Sequence, residues 1–308
     1  MANRRAFLKS VAAAVAVGGV RPVLHGAQSQ APATAAGIRK STLISMLPRG
    51  QSYADRFALA RASGFEAVEM QTITKEEEAT EIRDAAKTAG LRIHSVMNSD
   101  HWRLPLSSSD PEVVTGSVKG METSLRNAAL WGADTVLLVP AVVDAKTSYQ
   151  DAWTRSQRVI RERLLPMAQD LKVTIAIEEV WNKFLLSPIE FARYVDDFGS
   201  PYVRAYFDVG NVVFYGFPQD WIRTLGPRIV KLHLKDFQLD RRSGQFTWKN
   251  LGEGDIDWPE VRRALADIKY AGYATTELSG PTGDAAVYLK DVSARVDRFL
   301  AGEKPVAS

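Results

Sequence analysis

The stretch VTIAIE at residues 173–178 is the first of four short apolar runs that each end on an ionisable residue. The other three read VRAYFD at 203–208, IVKLH at 229–233 and YATTE at 273–277. Apolar side chains alternate along these runs, which is the period of a β-strand with one face packed on a core. The final side chain of each run points away from that packed face. The four runs therefore predict buried strands that each end in an ionisable group.

The final residues of these runs are Glu178, Asp208, His233 and Glu277. A carboxylate at the end of a buried strand needs a partner to offset its lost hydration, and no obvious cation stands beside each of them. One shared partner, a divalent metal held by oxygen and imidazole ligands, would serve all four. The alternative is that these are ordinary rim carboxylates and a core histidine.

Strand and helix patterns alternate eight times after about residue 40. The predicted strands span 42–47, 67–72, 92–98, 135–140, 173–178, 203–208, 229–236 and 273–278. Eight such units in a chain of this length are typical of a closed (β/α)8 barrel, here residues 37–308. An open, doubly wound sheet is the alternative, and the absence of a G-x-G-x-x-G motif after the first strand counts against it.

In a (β/α)8 barrel, the active site lies at the carboxyl ends of the strands. The four ionisable residues end strands five to eight, which are neighbours in such a barrel, so we expect their side chains to converge on one side of the mouth. Glu69 on strand two and His94 on strand three have the matching inward parity. We expect these two to face the four residues across the pocket.

Composition excludes several classes of protein. The chain has 308 residues, of which 45% are hydrophobic, and its lack of cysteine excludes disulfides and thiolate metal sites. Four basic residues in the first segment, Arg4, Arg5, Lys9 and Arg21, account for the formal charge of +3, which becomes −1 without them. A nearly neutral protein has no electrostatic reason to bind nucleic acid.

Residues 1–36 have the pattern of an export signal. The twin arginines Arg4 and Arg5 precede an apolar stretch at 11–20, and small and polar residues follow at 27–36. This order resembles a twin-arginine signal, and the apolar stretch is too short to span a bilayer. The prediction is a periplasmic or exported protein that uses the twin-arginine export machinery, with a retained N-terminal membrane anchor as the alternative to cleavage.

The chain resembles the sugar phosphate isomerase/epimerase group of the xylose-isomerase-like barrels over nearly all of its length after residue 36. The resemblance depends on AIE followed by VWN at 176–182, YFDVGN at 206–211, KLHLKD at 231–236, LGEGDIDW at 251–258 and TE at 276–277. In ketose 3-epimerases of the group, a Glu, an Asp, a His and a second Glu bind manganese, cobalt or magnesium. The resemblance therefore implies a divalent metal, with zinc as an alternative, on Glu178, Asp208, His233 and Glu277.

One position in that ligand set is ambiguous because Glu178 and Glu179 are adjacent. The epimerase pattern Glu-Val-x-Asn also fits the residues from Glu179 to Asn182. Strand parity favours Glu178, since Glu179 shares its side with Ile175 and Ile177 and should point toward the helices.

Such a site removes and returns a proton beside a carbonyl through a metal-stabilised enediolate. Glu178 and Glu277 would approach the substrate carbon from opposite faces and act as the acid and base. Return of the proton to the opposite face is epimerisation, and delivery to the neighbouring carbon is isomerisation. If the carbon next to the deprotonated one carries a leaving group, the same site would act as a lyase or dehydratase, like the inosose dehydratases of the family. The sequence leaves these outcomes open.

Further residues are candidates for contact with the sugar. They are Glu69, His94, His101, Trp102, Trp181, Asn182, Asn211, Lys235 and Glu253. The alternatives are packing of His101 and Trp102 on the barrel rim and a salt bridge from Lys235 to Asp208 or Glu253. Glu253 lies in the sequence Gly-Glu-Gly, which we expect to form a mobile lid. Asn211 stands where some ketose epimerases carry a histidine, which weakens the transfer of their exact activity.

We therefore expect an exported, metal-dependent isomerase or epimerase of an unphosphorylated ketose or keto-sugar, because sugar phosphates are cytoplasmic. A non-catalytic periplasmic sugar-binding protein is an alternative. The fold group also includes a DNA-repair phosphodiesterase with three zinc ions, but that site needs many histidines and this chain has four. Relatives are often dimers or tetramers, so a homo-oligomer is a further expectation.

Overall fold

Eight parallel strands close into a barrel in the computed structural model, which describes residues 37–307. The barrel strands are β1 (Arg39–Leu43), β2 (Ala67–Gln71), β3 (Arg92–Met97), β4 (Thr135–Leu138), β5 (Thr174–Glu178), β6 (Val203–Asp208), β7 (Ile229–Leu234) and β10 (Tyr273–Thr276). Around the barrel their order is β1-β10-β7-β6-β5-β4-β3-β2. The prediction of a (β/α)8 barrel is confirmed, and the open-sheet alternative is wrong. The predicted export signal at 1–36 lies outside the described residues.

Helices surround the barrel and connect its strands. They are α1 (Tyr53–Ala62), α2 (Glu76–Ala89), α3 (Pro111–Trp131), α4 (Tyr149–Val159), α5 (Leu165–Leu171), α6 (Pro188–Asp196), α7 (Pro218–Leu225), α8 (Trp258–Asp267) and α9 (Ala285–Leu300). Serine side chains cap several N-termini, as where Ser148 accepts the Asp151 N–H and Ser187 accepts the Glu190 N–H. Within residues 37–307, no helix has the length and apolar character needed to cross a membrane.

Side chains on the two faces of the strands belong to two separate cores. Ile175 and Ile177 point outward and pack in the large core between barrel and helices. Ala176 points inward and packs with Tyr206 and a few other side chains inside the barrel. Glu178 has the parity of Ala176, so the fold directs its side chain into the barrel mouth.

An antiparallel hairpin interrupts the βα alternation after β7. The strand that the sequence predicts as far as residue 236 ends at Leu234, and β8 (Asp236–Asp240) then pairs with β9 (Gln245–Lys249). Asp236 anchors the base of this hairpin, because its Oδ2 accepts the N–H groups of Gly252 and Gly254 at 2.9 and 3.2 Å. The hairpin brings β9 to the mouth of the barrel.

Candidate active site and metal centre

The four residues that end the apolar runs meet at the carboxyl end of the barrel. Glu178, Asp208, His233 and Glu277 each offer a ligand atom, and these atoms all lie within 4.8 Å of one another. The strand register produces this meeting: Asp208 is paired with His233 across β6 and β7. The N–H of Glu277 donates to the Leu234 carbonyl on β7, which holds Glu277 beside the other three.

A histidine nitrogen and a lysine ammonium lie among the three carboxylates. Nδ1 of His233 is 2.8 Å from Oε1 of Glu178, 3.1 Å from Oε2 of Glu277 and 3.8 Å from Oδ2 of Asp208. Nζ of Lys235 is 2.9 Å from Oδ2 of Asp208 and 2.8 Å from Oε2 of Glu277. The alternative of a Lys235 salt bridge to Asp208 is therefore observed, and it places the ammonium inside the site.

Burial and neighbouring charges shift the pKa values of the three carboxyl groups in different directions. Burial raises the pKa of Glu178 to about 7, against the attraction of the His233 charge. Burial also raises the pKa of Asp208, which Lys235 opposes. Burial disfavours the ionised form of Glu277, but the charges of Lys235 and His233 outweigh it and lower the pKa of this carboxyl. The surroundings thus raise the pKa of Glu178 and Asp208 and lower that of Glu277.

These residues fit a divalent metal. Three carboxylates and one imidazole are the donor set that Mn²⁺, Co²⁺, Mg²⁺ and Zn²⁺ accept in proteins. Asp208 and His233 are fully buried, and Glu178 is nearly so. Three ionised carboxylates outnumber the two positive charges that Lys235 and a protonated His233 would supply, and a bound cation would complete the balance. The structure therefore contains a candidate metal centre.

A second layer of side chains lies beneath this centre and fixes its histidine. Nε2 of His233 is 3.1 Å from Oε2 of Glu69, and the Tyr206 hydroxyl donates to the same Glu69 oxygen. Nε2 of His94 is 2.9 Å from Oγ1 of Thr275, and burial lowers the pKa of His94 well below the usual value. The sequence predicts that Glu69 and His94 face the pocket, but both side chains are fully buried and contact His233 and Thr275, respectively.

Glu179 does not join the ligand group. Its Oε1 accepts the N–H of Asp208 at 2.9 Å, and its carbonyl accepts Nδ2 of Asn211 at 3.0 Å. Burial raises the pKa of Glu179 well above the usual value. Its role in the structure is to hold the end of β6, while Glu178 is the glutamate within reach of the other three ligand atoms.

A cavity of about 260 Å³ opens onto the centre, and both Glu178 and Glu277 line it. Five residues proposed to contact the sugar line it as well: His101, Trp102, Trp181, Asn211 and Lys235. Burial lowers the pKa of His101 to about 4, so this histidine is neutral at neutral pH. The cavity thus offers aromatic faces, the amide of Asn211 and the charged donor Lys235 around the two glutamates.

Asn182 and Glu253 lie outside this cavity. Asn182 donates from Nδ2 to the Ala141 carbonyl at 2.6 Å and accepts the Phe184 N–H, so its polar groups hold the loop after β5. Glu253 pairs with Arg295 at 2.9 Å. Gly252, next to Glu253, packs closely on Pro305, since a Cβ there would lie 1.9 Å from the Pro305 carbonyl. Movement of the Gly-Glu-Gly turn as a lid stays a prediction.

Trp248 on β9 also lines the cavity, although sequence reasoning missed it. Its ring stacks on Trp181 with centroids 5.4 Å apart and an angle of 16°, and Phe246 packs edge-on against Trp181 at 4.7 Å. The signal was the alternation of Phe246 and Trp248 after the Ser-Gly turn, which is typical of a hairpin. The hairpin thus forms one wall of the site.

Fold and site together define a (β/α)8 barrel with a carboxylate–histidine centre at the carboxyl ends of its strands. The chain belongs to the xylose isomerase-like TIM barrel family, whose family model matches residues 57–295. This confirms the family that the sequence motifs indicated.

Among curated proteins, the chain is similar to the L-ribulose-5-phosphate 3-epimerase UlaE of Escherichia coli. The two are 27% identical over 252 residues, which cover 77% of this chain and 86% of the relative.

Among solved structures, the chain is similar to a D-tagatose 3-epimerase-like protein, with a TM-score of 0.71, 18% identity, and coverage of 86% of this chain and 97% of that one. It is also similar to the 3-keto-D-glucoside 4-epimerase YcjR of E. coli, with a TM-score of 0.71, 15% identity, and coverage of 84% and 99%. At these identities the two structures show a shared fold.

Proposed function

We propose that this protein is a metal-dependent epimerase or isomerase of an unphosphorylated ketose or keto-sugar. One observation carries the proposal: Glu178 and Glu277 line the same cavity while both contact Nδ1 of His233, at 2.8 and 3.1 Å. Two carboxyl groups that line one cavity and contact the same ring nitrogen would both lie close to a sugar bound there. This is the arrangement that proton removal and return require.

The residues that would hold a divalent cation are Glu178, Asp208, His233 and Glu277. Such an ion would polarise the sugar carbonyl and stabilise the negative charge that develops when a neighbouring proton leaves. Glu69 keeps Nδ1 of His233 directed at the carboxylates by occupying the other ring nitrogen.

The protein's own side chains supply the proton transfer. We infer that one of Glu178 and Glu277 removes the proton from the carbon beside the carbonyl, and that the other returns one to the opposite face. Lys235, held by Asp208 and Glu277 and lining the cavity, would donate to a substrate oxygen. Trp181 and Trp248 form an apolar wall that keeps water from one side of the reacting carbon.

The relatives support the class of reaction. The curated relative is an epimerase of a ketose phosphate, and the similar structures carry the names of a tagatose 3-epimerase-like protein and a keto-glucoside epimerase. All three names describe a ketose or a keto-sugar. The proposal takes from them the reaction class and leaves the particular sugar to experiment.

Product analysis tests this proposal. The protein would be incubated with Mn²⁺ and a panel of ketoses and keto-sugars, and the products identified by NMR, with a chelator-treated sample as control. An epimer or an aldose–ketose isomer supports the proposal. An unsaturated product would replace it with the lyase alternative, and binding without any product would replace it with the sugar-binding alternative.

We further propose that residues 1–36 direct export to the periplasm by the twin-arginine route, which is why the substrate is expected to be unphosphorylated. The support is the position of Arg4 and Arg5 before the apolar stretch at 11–20. A reporter fused after residue 36 should be exported, and the double change Arg4→Lys, Arg5→Lys should block it. Fractionation of the full chain separates a cleaved, released protein from one that is retained on the membrane.

A further inference from the structure

A second, larger cavity adjoins the candidate active site. Its volume is about 490 Å³, against about 260 Å³ for the cavity that Glu178 lines. Lys235, Trp248 and Glu277 line both cavities and form the boundary between them. A molecule bound at Glu277 therefore has open space on two sides, and the two cavities form one divided cleft. We call the cavity that Glu178 lines the inner compartment and the larger cavity the outer compartment.

The sizes of the compartments indicate a substrate of two parts. The inner compartment measures about 260 Å³ and the outer one about 490 Å³. We place one sugar unit in the inner compartment, beside Glu178 and Glu277. It leaves the outer compartment free, and that compartment lies within the usual range for small-molecule pockets, about 300–1,000 Å³.

The lining of the outer compartment fits an uncharged, hydroxyl-rich group. Polar contacts are offered by Ser45, Asn250, Ser279, Thr282 and Tyr288. Leu43, Leu278 and Trp248 add apolar surface, which suits the C–H faces of a sugar ring. Such a mixture of apolar walls and a few polar groups is typical of specific small-molecule sites.

The charges in the outer compartment do not favour a phosphate. Two ammonium groups line it, those of Lys235 and Lys249. Lys235 is already paired with Asp208 and Glu277, and Glu277 itself contributes negative charge to the boundary. Lysine binds phosphate as a point charge, whereas the bidentate contacts that give geometric specificity for phosphate come from arginine, and the lining described here contains no arginine.

We propose that the substrate is a two-unit sugar: a ketose or keto-sugar unit in the inner compartment, joined through a glycosidic bond to an uncharged second sugar in the outer compartment. The inference rests on the proposed function for the identity of the reacting unit. The outer compartment determines the specificity for the second unit, and Trp248 on the hairpin contacts both.

The test compares one-unit and two-unit sugars on the full chain loaded with Mn²⁺. Isothermal titration calorimetry would measure binding of fructose against turanose, isomaltulose and lactulose, and of a methyl 3-keto-glucoside against 3-keto-disaccharides. Fructose 6-phosphate is the anionic probe. We expect at least one two-unit sugar to bind ten or more times more tightly than its one-unit counterpart.

A glycine pair provides matched variants. Gly280 lines the outer compartment, and a Cβ there would meet only the Ser45 carbonyl, at 3.6 Å, so Gly280→Phe places a ring in that space. Gly283 lies in the same loop, and a Cβ there meets nothing within 4 Å. We expect Gly280→Phe to lower the two-unit to one-unit affinity ratio at least tenfold, and Gly283→Phe to keep it.

The outcomes separate this inference from the proposed function. Equal affinity for one-unit and two-unit sugars in both series, or tighter binding of fructose 6-phosphate, would overturn the two-unit proposal even if the protein epimerises a monosaccharide. A tenfold advantage that Gly280→Phe removes supports it, and this result holds whether or not the NMR assay detects turnover.

Discussion

Nε2 of His233 lies 3.1 Å from Oε2 of Glu69, and this contact leaves Nδ1 of the same ring facing the carboxylates of the candidate metal centre. Both residues are fully buried, so water does not compete for the contact. A partner of this kind fixes the orientation of a metal-binding imidazole and raises its basicity. Glu69 is therefore a positioning residue, acting on the site through His233.

Replacing Glu69 by glutamine should weaken metal binding. The substitution Glu69→Gln keeps the size of the side chain but removes the negative charge behind His233, so the affinity for Mn²⁺ should fall about 10–100-fold. Calorimetric titration with Mn²⁺ measures this. The control is Glu66→Gln, three residues earlier, where the side chain accepts the Lys40 N–H at an exposed position. Equal affinity in Glu69→Gln and wild type would show that Glu69 does not position the ligand.

Metal binding should stabilise the folded protein. A ligand that binds only the native state at 100 times its Kd adds about 2.7 kcal/mol to the free energy of unfolding, so Mn²⁺ should raise Tm. Asp208→Asn should abolish most of that rise, because an amide is a poor ligand next to Lys235. The amide oxygen can still accept the N–H groups of Gly210 and Asn211, as Oδ1 of Asp208 does.

Thermal unfolding with and without Mn²⁺ checks this prediction, and Asp84→Asn on the exposed face of α2 is the control. A rise in Tm that persists in Asp208→Asn would place the bound ion elsewhere. No rise in the wild-type protein would count against a metal centre formed by these residues.

Asp236 should be a major determinant of stability at the base of the hairpin. Besides the two glycine N–H groups, its Oδ2 accepts Nε1 of the fully buried Trp258 at 2.9 Å. Since each buried donor left unpaired costs about 1–3 kcal/mol, Asp236→Ala should lower the free energy of unfolding by about 3 kcal/mol or more in urea titrations. Asp240→Ala, at the exposed end of β8 in the same hairpin, should change it by less than about 1 kcal/mol. Similar values for both variants would contradict this role.

Strand parity was sufficient to predict that Glu178, Asp208, His233 and Glu277 meet at the barrel mouth. Each lies at or next to the carboxyl end of its own strand, and in a barrel the side chains at the carboxyl ends of adjacent strands meet. Parity assigns a residue to a face but not to a depth along the barrel. Glu69 and His94 do point inward, yet they are fully buried against His233 and Thr275, and the register irregularity between Val68 and Glu69 is not evident in the sequence.

The hairpin was missed for a different physical reason. Phe246 and Trp248 alternate with polar residues, but four of the five residues of β9 are exposed, so the alternation does not show which part of the molecule the strand packs against. Its position depends on long-range contacts instead, those of Asp236 with the turn near Gly252 and of Trp248 with Trp181. Such contacts join residues far apart in the sequence, and a local pattern does not reveal them.

The most direct test of the central claim is solvent deuterium exchange at the carbon beside the carbonyl, followed by NMR in D2O with Mn²⁺. We predict that the wild-type protein incorporates deuterium into at least one ketose or keto-sugar, and that Glu178→Gln and Glu277→Gln each reduce the rate by about 10²–10⁴-fold. The matched control is Glu179→Gln, whose amide oxygen can still accept the Asp208 N–H, and it should retain exchange. Exchange that survives in both Glu178→Gln and Glu277→Gln, or that is absent from the metal-loaded wild type with every sugar tested, would contradict the assignment of this pair as the acid and base of a sugar epimerase.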